Sequence, residues 1–160
     1  MRGQYEVTIP LVQVPTTEGS IAGIIVPANT VIELNRVRLS GPGVTANNNV
    51  RLRIRQFTGN TPTLSNAVTA KAVDQGNAIA AATTFGGKGA AGSGSVWSAT
   101  PTTVAEALLD RGQNLYGGVI EWMSTLQESR RLGGASASYY DIQGTAGTQF
   151  DGALVLVFTE

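Results

Sequence analysis

Five arginines, Arg36, Arg38, Arg51, Arg53 and Arg55, alternate with apolar residues in two neighbouring segments, NRVRLS and NVRLRIR. A guanidinium is a planar fork of donors that stays charged near neutral pH, so it grips carboxylates and phosphates in bidentate fashion. A ladder of them predicts a contact surface rather than a catalytic centre. Three kinds of partner compete. Glu33, Glu106 or Glu121 of the same chain can form loose surface pairs with the ladder. A neighbouring protein subunit presenting carboxylates can do the same across an interface, where arginine is enriched. Nucleic acid is disfavoured by a net charge of zero, by lysines at positions 71 and 88 only, and by the lack of aromatics interleaved with the arginines.

Other residues invite chemistry less. A glycosidase needs two carboxylates at suitable separation, and Glu121, Asp141 and Asp151 are candidates if their strands are neighbours, with Tyr139, Tyr140 and Trp122 lining a sugar site. No spacing ties these acids together, and the alternative is solvated loop acids beside core aromatics. Gly87-Lys88-Gly89-Ala90-Ala91-Gly92 matches G-x-G-x-x-G, but a dinucleotide site needs that string to open a helix. Here Ser93-Gly94-Ser95 and strand-like VWS follow, and Gly89 stands where a phosphate-binding P-loop needs Ser or Thr. The chain has no histidine and no cysteine. That removes thiol catalysis, disulfide scaffolds, Cys-based zinc sites, imidazole ligands and the commonest general base near pH 7. The expectation is a protein that is not an enzyme and needs no cofactor and no metal.

Length and patterning say what must position these residues. A chain of 160 residues fits one domain and can bury a core without staples. Charged residues make up 14%, against about 25% in ordinary domains, so surface polarity comes from Thr, Ser, Asn, Gln and the 20 glycines. Residues 1–60 carry six basic and three acidic groups, a net +3, whereas 61–160 carry five and eight, a net −3, which implies complementarity between copies or a charged partner. The first residues turn polar too early for a secretory signal, and no apolar run reaches the length of a membrane span, so cytoplasmic synthesis and no membrane partner are expected.

Residues 4–14 read as a strand. Pro10 and Pro15 make 1–15 an extended N-terminal arm or edge strand, ahead of one domain over 16–160. IAGIIV (21–26) is a second strand. Period-two alternation in VRLRIR, a phase slip at Asn35 that predicts a β-bulge, and a Gly/Pro/Asn-rich link make 30–58 read as one antiparallel hairpin. Symmetry about residues 44–45 would set Arg38 opposite Arg51 and Arg36 opposite Arg53. Residues 68–73 and 96–100 have strand character, 78–82 fits a helical turn, and 86–95 is a low-complexity, mobile loop. TPTTVAEALLDRG reads as a helix over 103–111, with Thr103 and Glu106 as a capping box and Gly112 as its stop. Strands at 117–124, 135–142 and 150–160 close the chain, the last apolar in both phases and so expected to be covered on both sides. The sum is an all-β, antiparallel two-sheet sandwich of jelly-roll type with one or two short helices.

With VIELNRVRLSGPGVTANNNVRLRIRQFTGNTP, VTAKAVDQGNAIAAATT and FDGALVLVFTE in view, the chain resembles small structural proteins of tailed-bacteriophage virions, of the capsid cement or decoration type. The resemblance implies a protein that binds the outer capsid surface, contacts the major capsid protein, assembles as a homo-oligomer, often a trimer, and reinforces joints between capsid subunits. The five arginines would then be its protein-contact face. A carbohydrate- or receptor-binding jelly-roll module of a phage tail or fibre is the rival reading, and it requires exposed aromatics around a shallow groove.

Overall fold

The computed structural model describes residues 3–41, 48–58, 61–73, 80–88, 94–99, 103–114, 119–123 and 130–160, with the backbone alone at 103–106 and 114. The described residues form twelve strands and no helix: β1 (Gln4–Val14), β2 (Gly19–Val26), β3 (Thr30–Ser40), β4 (Asn49–Thr58), β5 (Ala67–Val68), β6 (Lys71–Ala72), β7 (Thr84–Gly87), β8 (Thr103–Asn114), β9 (Val119–Met123), β10 (Arg130–Gly134), β11 (Ser138–Ala146) and β12 (Phe150–Thr159). They make two antiparallel sheets packed face to face. One, the β12 sheet, runs β10-β3-β12-β1-β6, with β9 also on β3; the other, the β11 sheet, runs β5-β7-β2-β11-β4-β8. β9 ends opposite Arg36 and β10 begins opposite Leu34, so the two continue one line along β3.

The pairing has a simple rule. Ile9 faces Leu154, Ile24 faces Tyr140, Ile32 faces Leu132 and Arg53 faces Asp110. First pairs with last, second with next to last, and so inward, as in one long ribbon doubled back near its middle. Gly3 and Glu160 close the open end with two backbone hydrogen bonds of 3.0 Å. The ribbon is then folded over, so that β12 also lies against β3 and β11 against β4.

Alternation builds the core between the sheets. Val7, Ile9, Leu34, Val37, Leu39, Leu154 and Leu156 of one sheet meet Ile21, Ile24, Leu52, Ile54, Phe85 and Ile142 of the other, all buried. Burying such a side chain is worth about 1.5–3 kcal/mol each, the main drive for closing the two sheets. Two bulges keep the apolar phase facing inward. Pro10 and Leu11 together oppose Ala153, which switches the buried set of β1 from odd to even positions and places the proline where the ladder is already interrupted. Asn35 is the extra residue of β3 against β12, the bulge its phase slip predicts, and its Nδ2 donates to Thr159 Oγ1 at 2.8 Å.

Several expectations change. The helix expected over 103–111 is strand β8, drawn into the sheet by β4, with Leu109 buried opposite Ile54. Of the strand expected at 96–100, the described residues 96–99 contribute a single bridge, Trp97 to Leu64, and residue 100 lies outside the described set. Gly86 and Gly87 belong to β7, so the loop expected over 86–95 starts later, and its residues 89–93 lie outside the described set; of the helical turn expected at 78–82, residues 78 and 79 also lie outside, and the described 80–82 are not helical. Of the 1–15 segment, Gln4–Val14 form β1 within the sandwich. It pairs with β12 of its own chain and is covered on its other side by β6 only at Tyr5 and Glu6. In β12, Leu154, Leu156 and Phe158 are buried on the inward side; on the outward side Val157 is buried too, whereas Ala153 and Val155 are half-buried, so the double covering holds only toward the end of the strand.

Candidate functional site

The hairpin expected over 30–58 does not form. β3 lies in the β12 sheet and β4 in the β11 sheet, so Arg38 does not face Arg51, nor Arg36 Arg53. A period of two fixes which side of a strand is buried, not which strand lies beside it. Arg36 and Arg38 project from the outward side of one sheet, because Val37 and Leu39 fill the core. Arg51, Arg53 and Arg55 project from the outward side of the other, because Leu52 and Ile54 do so there. The five guanidiniums therefore occupy two opposite faces.

On the β11 sheet the three arginines are interleaved with carboxylates of the same chain. Arg51 holds Asp110 in a fork, Nε to Oδ1 at 2.7 Å and Nη2 to Oδ2 at 2.5 Å. Arg53 Nε reaches the same Oδ2 at 3.2 Å, while its Nη1 donates to both oxygens of Glu18 at 2.8 and 3.0 Å. Arg55 Nη2 stands 3.8 Å from Glu18. Like charges on alternate positions of one strand would repel, and the acids between them remove that repulsion. The hydrogen bond from Arg51 holds the Asp110 carboxyl below its usual range, and the same bond raises the Arg51 guanidinium above its own. Neither Asp110 nor Glu18 was identified from the sequence, Asp110 because it fell in the expected helix and Glu18 because it sits in the β1–β2 turn.

Beyond Arg55 the same face is roofed. Phe57 and Tyr139 lie beside Ile25, and residues 61–66 and 94–99 pass over them as a strap. Trp97 anchors it: its ring meets Phe57 edge-on, with centroids 4.9 Å apart, and its Nε1 donates to Asp141 Oδ1 at 2.8 Å. Asp141 is buried, and Ser20 Oγ and Gln143 Nε2 each donate to its Oδ2 at 2.8 Å. A carboxylate satisfied by three donors in this way is a structural acceptor.

The outward side of the β12 sheet is less finished. Arg36 pairs with Glu121 of β9. Arg38 has no ion pair among the described residues, and its Nε is buried without an acceptor. A shallow depression lined by Gln4, Asn35, Arg36, Met123 and Val157 crosses this face.

The candidate acids do not converge. Asp141 lies on one outward face, Glu121 and Asp151 on the other. Through Arg38 and Val155, Glu121 sits four residues along from Asp151, about 13 Å at the usual rise per residue and two strands across. Trp122 and Tyr140 are core residues and Tyr139 is under the strap, so no sugar-binding platform of exposed aromatics exists among the described residues. Gly87 of the G-x-G-x-x-G string is packed against Ile9. No metal-ligand cluster is present among the described residues. Compared with known proteins, the chain matches no family model, no curated protein and no solved structure.

Proposed function

We propose that this chain is a non-enzymatic structural protein of a virion, which binds the outer capsid surface through the major capsid protein and reinforces contacts between capsid subunits. The observation that carries the reading is the strand order. Taking β9 and β10 as one strand, β1-β12-β3-β9/10 faces β2-β11-β4-β8, and the chain crosses between the sheets at nearly every step. That order supports a jelly roll, the eight-strand double Greek key found in capsid and lectin domains. The likeness in the three quoted segments adds the capsid reading, and the absence of exposed aromatics among the described residues weighs against the lectin one.

Within this reading the arginine face of the β11 sheet meets the particle. Arg51, with half its side chain exposed, stands at the open end of a rigid array whose forks are already oriented by Asp110 and Glu18. The interleaved carboxylates favour a protein counterpart, since they repel a phosphate backbone. The test is cosedimentation with capsids of the encoding phage. Saturable copelleting is expected, reduced at least tenfold by Arg51→Glu with Arg53→Glu in a variant whose circular dichroism is unchanged. No copelleting of the natural chain at tens of micromolar would refute the function; undiminished binding of the variant would refute the face.

A further inference from the structure

We infer that the outward face of the β12 sheet is the interface of a two-fold symmetric dimer of this chain. The register places five outward side chains across the sheet near one level: Lys71 on β6, Glu6 on β1, Val157 on β12, Arg36 on β3 and, one two-residue step along, Glu121 on β9. Read across the strands, the charges run positive, negative, neutral, positive, negative. Reversing the order inverts every sign, so the stripe complements itself.

A two-fold axis lying in the interface along β12 performs that reversal. It sets Glu6 against the partner's Arg36 and the partner's Arg38, and Lys71 against the partner's Glu121. It also stacks Val155 on its own copy at the centre, beside Val157, which its own chain already buries. Each charged pairing falls within one two-residue step, about 7 Å along a strand, which Arg, Lys and Glu side chains span. Sheets stacked face to face lie about 10 Å apart and within about 30° of alignment, which leaves room for these side chains. Such an isologous contact is the commonest way to close an oligomer.

Exposure agrees with the charges. The large apolar residues left exposed among the described set are Val31, Val73 and Met123, at 44%, 52% and 63%, and all three lie on or directly beside strands of this sheet. The axis along β12 brings Met123 within one two-residue step of the partner's Val73, so each covers the other. Arg38, which has no ion pair among the described residues, gains the partner's Glu6. The opposite face offers no such opening, because the strap and the Arg51–Asp110–Arg53–Glu18 array already occupy it. A patch five strands wide, about 20 Å, is at the small end for specific interfaces, so the dimer is expected to be weak and to tighten with concentration.

The inference is independent of particle binding and is tested on the free protein by sedimentation equilibrium up to about millimolar concentration. Expected is a monomer–dimer equilibrium weakened by salt, and weakened at least tenfold in dissociation constant by Glu6→Lys or by Arg36→Glu with Arg38→Glu. Mixing those two variants should restore association as a heterodimer, an outcome that mere unfolding of either cannot give. A monomer at every concentration, a trimer, or a dimer indifferent to the reversals and not regained on mixing would overturn the inference. So would a capsid-binding defect in Arg36→Glu/Arg38→Glu without any change in self-association, which would assign the face to another protein.

Discussion

Trp97 donates its indole hydrogen to Asp141 at 2.8 Å across 44 residues of sequence, and this one bond ties the strap to the middle of the β11 sheet. Trp97→Phe keeps an aromatic ring over Phe57 but leaves a buried carboxylate oxygen without its donor. The expected loss is about 1–3 kcal/mol, read as a lower midpoint in urea. Asp141→Asn should cost a comparable amount, because its amide turns donors toward Ser20 or Gln143. A loss below a few tenths in both would mean the strap is held by apolar contact alone.

Gly23 lies directly beneath the indole. A Cβ there would sit 2.3 Å from Trp97 Cζ2 and 2.7 Å from Leu64 Cδ2, so Gly23→Ala must push the strap outward. Destabilisation of about 1–3 kcal/mol is expected from overpacking, with a red shift and altered quenching of tryptophan fluorescence as the ring meets water. Unchanged emission would show that the strap does not move.

Gly133 combines a φ of +109° with close approach: an added Cβ would be 2.3 Å from the Thr30 carbonyl oxygen. Its amide also donates to the Tyr140 hydroxyl at 2.7 Å. Gly133→Ala should therefore cost at least about 1–3 kcal/mol and loosen β10 from β3, seen as faster amide exchange along that pair. Gly134→Ala, where an added Cβ meets nothing within 4 Å, separates crowding from backbone strain.

Asp110 carries the acid sensitivity of the arginine array. Its carboxyl is held below the usual range by the bond from Arg51, so the folded chain favours the deprotonated form more than the unfolded chain does. The resulting stabilisation is present above the unfolded value, about 3.9, and is lost as pH falls through the lower folded value. Because the pair is exposed, the effect is small and screened by salt. Asp110→Asn should flatten the acid limb of a stability–pH profile below about pH 4, and natural chain and variant should converge at high salt. An identical acid limb in low salt would place the sensitivity elsewhere.

What could be read from the residues alone was decided by alternation. Val50, Leu52 and Ile54 gave β4 its buried side, and the slip at Asn35 located a bulge that the β3–β12 register contains. Partner choice was not readable, because any antiparallel neighbour satisfies a period of two; the Gly/Pro/Asn-rich link after Ser40 signals a reversal equally well within a sheet or between sheets. β8 misleads because Ala, Glu and Leu favour helix locally, while pairing with β4 along 103–114 outweighs that preference. The arginine face was half legible: the outward phase of each guanidinium followed from its strand, whereas Asp110 and Glu18 became its partners only through contacts distant in sequence. Nothing around Asp141 announced that a tryptophan would cap it.

The doubled-ribbon arrangement has a consequence for how the molecule assembles in time. Among the ladders that join the two arms of the ribbon, β4 with β8 spans the shortest stretch of chain, β3 with β9 and then with β10 comes next, β2 with β11 follows, and β1 with β12 is last. Closing distant pairs costs entropy before contacts repay it, so folding should zip outward from β4–β8 on the millisecond-to-second scale typical of sandwiches, about a thousandfold slower than helical bundles. A nascent chain would carry β3 without a partner, and β1 and β2 beside only β6 and β7, until residues beyond 118 are made, and their apolar edges would need shielding through that interval.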